Sequence, residues 1–137
     1  MDIFIDTDVI LDLLGNRKPF SKHAAEIFSI SMQKKINIYI SAISVTTIYY
    51  ILCKNNDETK VRSLITELFD LCNIIPATKE ILRSALESDF KDFEDAVQHC
   101  TALTNKNIKA IITRNVKDFK KSRIEVYSPE DFLLDTG

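Results

Sequence analysis

Residues that bend or break a backbone are scarce in this chain, with two glycines and three prolines among 137 residues. That leaves no flexible linker and no glycine-rich loop to cradle a nucleotide phosphate. Cys53, Cys72 and Cys100 are odd in number, far apart and without CxxC spacing. They exclude the usual zinc and dithiol motifs and read as buried thiols in a reducing compartment. The two histidines, His23 and His99, stand alone, so no Ser-His-Asp or Cys-His grouping can be built; both read as surface or satisfied core residues. No run approaches the ~18 apolar residues that span a membrane. Asp2, Asp6 and Asp8 interrupt the one apolar run near the N-terminus, so no export signal is expected. Positive charge is not in excess either: a formal net charge of -2 argues against a basic coat for nucleic acid but allows a local basic patch. A cytoplasmic protein is expected.

What is present is ordinary for one globular domain spanning residues 1–137, with 45% apolar and 28% charged residues and no internal repeat. The organising stretch is Met1–Asp8. Ile3, Phe4 and Ile5 read as a strand buried on both faces. Asp6 then stands at its carboxyl end, where open α/β sheets bind ligands. A buried carboxylate needs a partner or a cation. Asp6 and Asp8 could both be caps for a helix starting at Val9, but one cap explains only one Asp.

Strands and helices then alternate. A short helix Val9–Leu14 ends at Gly15-Asn16, and Ser21 is a cap for a helix to about Lys35. Asn37–Ile40 is a strand, and Ser41 and Ser44 offer caps for a helix through Leu52. Asp57 caps a helix Glu58–Leu71 with apolar residues at helical spacing. Asn73–Ile75 is a strand ended by Pro76, and Thr78–Ser88 a helix. A helix Asp92–Lys106, a strand Lys109–Thr113, an edge strand Val126–Tyr127 and a helix capped by Ser128 complete the chain. This alternation predicts an α/β fold with a parallel sheet covered on both sides. Tyr39, Tyr49 and Tyr50 follow the apolar pattern and read as core or interface.

Acids gather a second time at Asp89-Phe90-Lys91-Asp92-Phe93-Glu94-Asp95. Asp92 and Asp95 share a helical face, whereas Glu94 points elsewhere and reads as solvated. A third stretch, Ile111-Ile112-Thr113-Arg114-Asn115-Val116-Lys117-Asp118-Phe119, repeats the opening pattern of a buried strand followed by polar side chains. If that strand neighbours the first, Asp6, Thr113 and Asn115 converge. Asp118 could instead serve a short helical turn. Lys106, Lys109, Arg114, Lys117, Lys120, Lys121 and Arg123 surround this stretch, an arrangement suited to holding an anionic polymer beside acids that carry metal.

The three motifs, DTDxxxD after an apolar strand, DFEDA, and TRNxKDF, together resemble the PIN-domain family, particularly the nucleases of VapBC-type toxin–antitoxin pairs. The similarity runs along essentially the whole chain. It implies a three-layer α/β/α sandwich around a parallel sheet and an Mg2+- or Mn2+-dependent ribonuclease. By position, Asp6 matches the family's first acid and Asp95 the acid of the late helix, with Asp92 one turn before it. Asn115 falls where many members have Asp, and Asp118 matches a further Asp. Thr47 replaces the family's Glu. The resemblance therefore assigns the catalytic set Asp6, Asp92, Asp95, Asn115 and Asp118, with Asp6 and Asp95 on the principal ion. Arg114, Lys117, Lys120 and Lys121 would contact RNA. An antitoxin protein and a homodimer are the implied partners. The alternatives are a PIN-fold module that binds RNA or an antitoxin-like protein without cutting, and a haloacid-dehalogenase-type phosphatase, whose DxD motif Asp6-Thr7-Asp8 also matches.

Overall fold

Ile3, Phe4 and Ile5 are fully buried because their strand, β1 (Asp2–Ile5), lies at the centre of a parallel sheet. In this computed structural model, which describes residues 1–33 and 35–136, the other strands are β2 (Asn37–Ser41), β3 (Asn73–Ile75), β4 (Ile108–Ile112) and β5 (Glu125–Tyr127). Their order across the sheet is β3-β2-β1-β4-β5. Ile5 is in register with Ile112, so β1 and β4 end side by side, as convergence of Asp6 and Thr113 requires.

Successive strand residues face opposite ways, and the core divides accordingly. Ile3 and Ile5 pack with Ile38, Ile40 and Ile112 against α1 (Thr7–Leu14), α2 (Ser21–Met32), α3 (Ala42–Leu52), α4 (Glu58–Phe69) and α7 (Pro129–Thr136). Phe4 faces the other way, onto Ala102 of α6 (Phe93–Leu103) and Phe119 of a 3-10 turn (Val116–Phe119). Beyond it α5 (Lys79–Leu86) packs on α6 through Ile81, Ala85, Ala96 and Val97. The result is the expected three-layer α/β/α sandwich.

Several caps stand where the sequence puts them. The side chains of Ser41, Thr78, Asp92 and Ser128 accept from the amides of Ile43, Ile81, Asp95 and Asp131 at 3.1, 3.2, 3.0 and 3.1 Å. Other boundaries differ. α1 starts at Thr7 rather than Val9, since Asp6 already caps it. α2 has Phe20 at its N-cap, with Ser21 inside the helix, and stops at Met32. Lys34, inside the longer helix expected there, lies outside the described residues, as does Gly137 at the end of the expected domain. α4 stops at Phe69. α6 stops at Leu103 because Thr104 turns its hydroxyl onto the Thr101 carbonyl and the Asn105 side chain accepts from Asn107 N–H. The three cysteines are free and only half-buried, and Tyr50 is 66% exposed rather than packed in the core.

Candidate functional site

Asp6 joins the end of β1 to the start of α1, and its carboxylate is almost wholly buried. Three donors offset the loss of water. Oδ1 accepts from Thr7 N–H at 2.9 Å and from Gln98 Nε2 at 3.0 Å, and Oδ2 accepts from the Thr113 hydroxyl at 2.7 Å. Gln98, on α6, also donates to Ser44 Oγ at 3.0 Å, and the Ser44 and Thr7 hydroxyls lie 2.6 Å apart. A buried network with its members satisfied in this way holds one geometry. Asp6 is thus fixed from three directions, by α1, α6 and the end of β4, while α3 braces Gln98 and Thr7 through Ser44.

Asp8 is held less completely. Its Oδ2 accepts from Asn115 Nδ2 at 3.1 Å, whereas Oδ1 is buried without a hydrogen-bond partner. Burial, and then the neighbouring Asp6 carboxylate, push its pKa up to about 7 against the opposing pull of Arg114. Asp95, in the first turn of α6, is likewise raised to about 7, by burial first and then by Asp92, Asp6, Asp118 and Asp8 in that order. The five acids therefore form one electrostatic group, although loss of water outweighs their mutual repulsion.

Asp6, Asp8, Asp95 and Asn115 line one cleft of about 460 Å³, together with Thr47 and the apolar side chains Leu11, Ile43, Ile51, Phe93 and Val97. Thr47 lines the cleft from α3. Glu94, expected to be solvated, is exposed and yet borders the same cleft. Asp92 and Asp118 do not line this cleft. With Asp95, they flank an adjoining one of about 200 Å³ that is also lined by Lys117, Lys120 and Lys121. Asp92 spends one oxygen on its cap, and Asp118 is an exposed member of the 3-10 turn.

Six of the seven residues of the basic run fall into three groups, and the seventh, Arg123, lines neither acidic cleft. Lys106 and Lys109 lie at the amino end of β4, far from the acids along the strand. Lys117, Lys120 and Lys121 stand beside Asp95. Arg114, expected on RNA, lines neither acidic cleft. Its guanidinium donates to Asp12 through Nε at 2.6 Å and Nη2 at 3.2 Å, and stacks 4.0 Å over the Phe20 ring. Asp12 is 1% exposed, and such a buried carboxylate recruits the nearest planar cation. His99 is a satisfied core residue: its Nε2 accepts from Arg123 N–H at 3.1 Å and its ring stacks on Phe90.

Asp8, Gln98, Ser44 and the Asp12–Arg114 pair are the participants that sequence reasoning missed. Asp8 was visible as the second acid after the strand, and Gln98 as a polar residue one turn after Asp95. Ser44 carried no signal beyond a cap.

Among the described residues, no three acidic, histidine or cysteine side chains close on a single point as a ligand cage. Asp6 is turned to Thr113 and Gln98, and Asp8 to Asn115. The donor set nonetheless fits a hard divalent cation, since it is made of oxygens and includes the buried, unpartnered Asp8 Oδ1.

These raised pKa values have a measurable consequence. Asp8 holds its proton more tightly folded, at about 7, than at the ordinary 3.8. The folded state then binds more protons between those values, so without metal this group contributes a penalty that is absent below pH 3.8, grows as pH rises and is complete above 7. Asp8→Asn is expected to match wild type at pH 4 and exceed it at pH 8 by ~1–2 kcal/mol after screening. Urea unfolding in chelator at both pH values measures this.

Comparison with known proteins adds three findings. The sequence model of the family described as "PIN domain" matches residues 2–117. Ribonuclease VapC1 of Aquifex aeolicus (strain VF5) is 33% identical over 135 residues, covering 95% of this chain and 92% of that one. Among solved structures, a toxin–antitoxin complex from Klebsiella pneumoniae has a chain 24% identical with a TM-score of 0.68, covering 93% of this chain and 97% of its own. A chain of VapBC-1 from nontypeable Haemophilus influenzae has a TM-score of 0.68 at 17% identity, covering 95% and 99%. At these identities the two structures speak for the fold.

Proposed function

The chain belongs to the PIN-domain family, and from that premise we propose that it is a divalent-metal-dependent endoribonuclease, the toxin of a toxin–antitoxin pair. The observation that carries this reading is the meeting of Asp6, Asp8, Asp95 and Asn115 in one cleft at the carboxyl ends of β1 and β4. The 33% identical relative carries the name ribonuclease. The Klebsiella structure is a toxin–antitoxin complex, which supports an antitoxin partner here; RNA and a second copy of the chain are the other partners in this reading. No helix among the described residues is long and apolar enough to cross a membrane, which is compatible with work in the cytoplasm. The late acid, Asp95, sits on a helix and not at a strand end, which disfavours the phosphatase alternative.

Asp6, Asp8 and Asp95 would hold Mg2+ or Mn2+, with the Asn115 carbonyl oxygen available as a neutral ligand. When bound, such an ion makes water a better nucleophile and offsets charge growing on the phosphate. The chain's own residues do the rest. Thr113, Gln98 and Thr7 hold both oxygens of Asp6 in place before substrate arrives, so little reorganisation is left for the reaction. Asp8 and Asp95 give up their protons near neutral pH as the site is loaded. Lys117, Lys120 and Lys121 hold backbone phosphates beside Asp95, a contact that weakens as salt rises. Water adds to phosphorus and one ester oxygen leaves.

The test is cleavage of a mixed-sequence single-stranded RNA carrying a fluorophore and quencher. Cleavage with Mn2+ or Mg2+ that stops in chelator supports the reading. RNA that is bound but left intact under every condition favours the second reading, a non-cutting PIN-fold module, for which Thr47 in the cleft is the specific observation. Thr47→Glu adds a carboxylate to the metal face and is expected to tighten Mn2+ binding about tenfold, measured by calorimetry. It is also expected to lower metal-free stability, since it adds a like charge.

A further inference from the structure

Three consecutive residues after β4 hold three acids of one helix and its cap. Thr113 donates to Asp6 at 2.7 Å, Asn115 donates to Asp8 at 3.1 Å, and between them Arg114 grips Asp12 at 2.6 and 3.2 Å. The Asn115 amide closes the loop on itself by donating to Thr113 Oγ1 at 3.0 Å. Of these contacts, only the Arg114–Asp12 pair is bidentate and charged on both sides. Asp12 is 1% exposed and its partner is backed by the Phe20 ring. It is thus the strongest rung. The other two rungs join the candidate metal face, through Asp6 and Asp8.

We infer that Arg114 is a positioning residue: its buried pair with Asp12 clasps the β4 loop to α1 and so sets where Asn115 and Thr113 hold Asp8 and Asp6 for metal. The inference rests on the metal-dependent reading of the cleft. Beyond the pull of its charge on Asp8, Arg114 then acts one step away from the chemistry, through the loop, and contacts neither the ion nor the RNA. Rotating the loop by one rung would leave Asp8 without its only side-chain partner and release Asp6 Oδ2. Lysine cannot replace the planar fork, so Arg114→Lys should fall between wild type and full loss.

The experiment uses the double variant Asp12→Leu/Arg114→Met, in which an apolar pair replaces the ionic one so that no unpaired charge is buried, beside Arg114→Lys. The readouts are Mn2+ affinity by calorimetry, amide exchange over residues 113–119, and retention of RNA in chelator. The clasp predicts Mn2+ binding about ten- to a hundredfold weaker in the double variant, faster exchange over 113–119, unchanged RNA retention, and intermediate values for Arg114→Lys. Where cleavage is measurable, kcat falls and KM for RNA stays. Unchanged Mn2+ affinity with unchanged exchange would reduce the pair to a stability element and overturn the inference. Lost RNA retention with Mn2+ affinity intact would overturn it too, by making Arg114 a phosphate contact. If wild type binds no Mn2+, the metal reading itself falls, and exchange over 113–119 alone decides whether the clasp exists.

Discussion

Asp95→Asn is expected to lower RNA cleavage by at least about a hundredfold, or ~2.7 kcal/mol of transition-state stabilisation, while leaving the fold intact. Asp95 is the one acid among the described residues that borders both the main cleft and the lysine-lined one, so in the proposed mechanism its charge would serve ion and substrate together. The same carboxylate is held in the folded chain at a cost. Burial and four neighbouring acids raise its pKa to about 7, so in the absence of metal its ionised form opposes folding at neutral pH. Asparagine removes that charge with little change in volume. The variant should therefore be at least as stable as wild type in chelator at pH 8, and lose the gain when the comparison is repeated with saturating Mn2+. A site kept at the expense of stability behaves this way. Full cleavage activity in a folded Asp95→Asn protein would remove Asp95 from the site. Paired melting curves in chelator and in Mn2+, run beside the cleavage assay, separate the two effects.

The largest stability effect is expected at Arg114. Arg114→Met leaves Asp12 charged and almost fully buried with Arg17, 4.0 Å away, as its remaining cation. Breaking a buried pair from one side costs ~3–5 kcal/mol, and the loss of stacking on Phe20 adds to it. In a chain of this size the melting temperature should fall by ~10 °C or more. Asp12→Leu added to Arg114→Met should recover most of the loss, because the buried charge is gone. That recovery distinguishes an ion pair from a general packing role, in which the second substitution would make matters worse. Differential scanning calorimetry on the two variants and wild type measures it. An Arg114→Met protein as stable as wild type would show that Asp12 finds full compensation elsewhere.

Much of the fold was legible because its signals are local. Ile3-Phe4-Ile5 announces a strand buried on both faces. Ser41, Thr78 and Ser128 announce helix starts through hydroxyls that need only the next few amides. Boundaries slipped where a local preference met a tertiary demand. Ser21 is a good cap by type, but Phe20 holds that position, and α6 gives up its last turn to the turn that enters β4.

The site was half legible for the same reason. Asp6 and Asp95 stand at a strand end and in a helix's first turn, places visible along the chain. The place of Asn115, the neutral ligand in the proposed mechanism, was also visible once β4 was placed beside β1. What makes Asp8 informative is an oxygen with no partner, a fact about the space around it. The Asp12–Arg114 pair joins residues 102 positions apart, and from the sequence Arg114 reads as one more cation in a basic run. Burial of Asp12 decided its use. Lys106 and Lys109 belong to the same run in sequence, yet β4 carries them to the opposite end of the sheet. Charge clustered along a chain becomes a patch only where the backbone turns back on itself, as it does around Lys117, Lys120 and Lys121.

The measurement that bears most directly on the whole account is a calorimetric titration of the wild-type protein with Mn2+ at neutral pH. It needs no knowledge of the RNA. The account predicts saturable binding in the micromolar range, with protons released from Asp8 and Asp95 as the site fills, seen as an apparent enthalpy that depends on the buffer's own ionisation heat. A folded protein that shows no binding, both alone and with RNA present to supply phosphate oxygens, would contradict it.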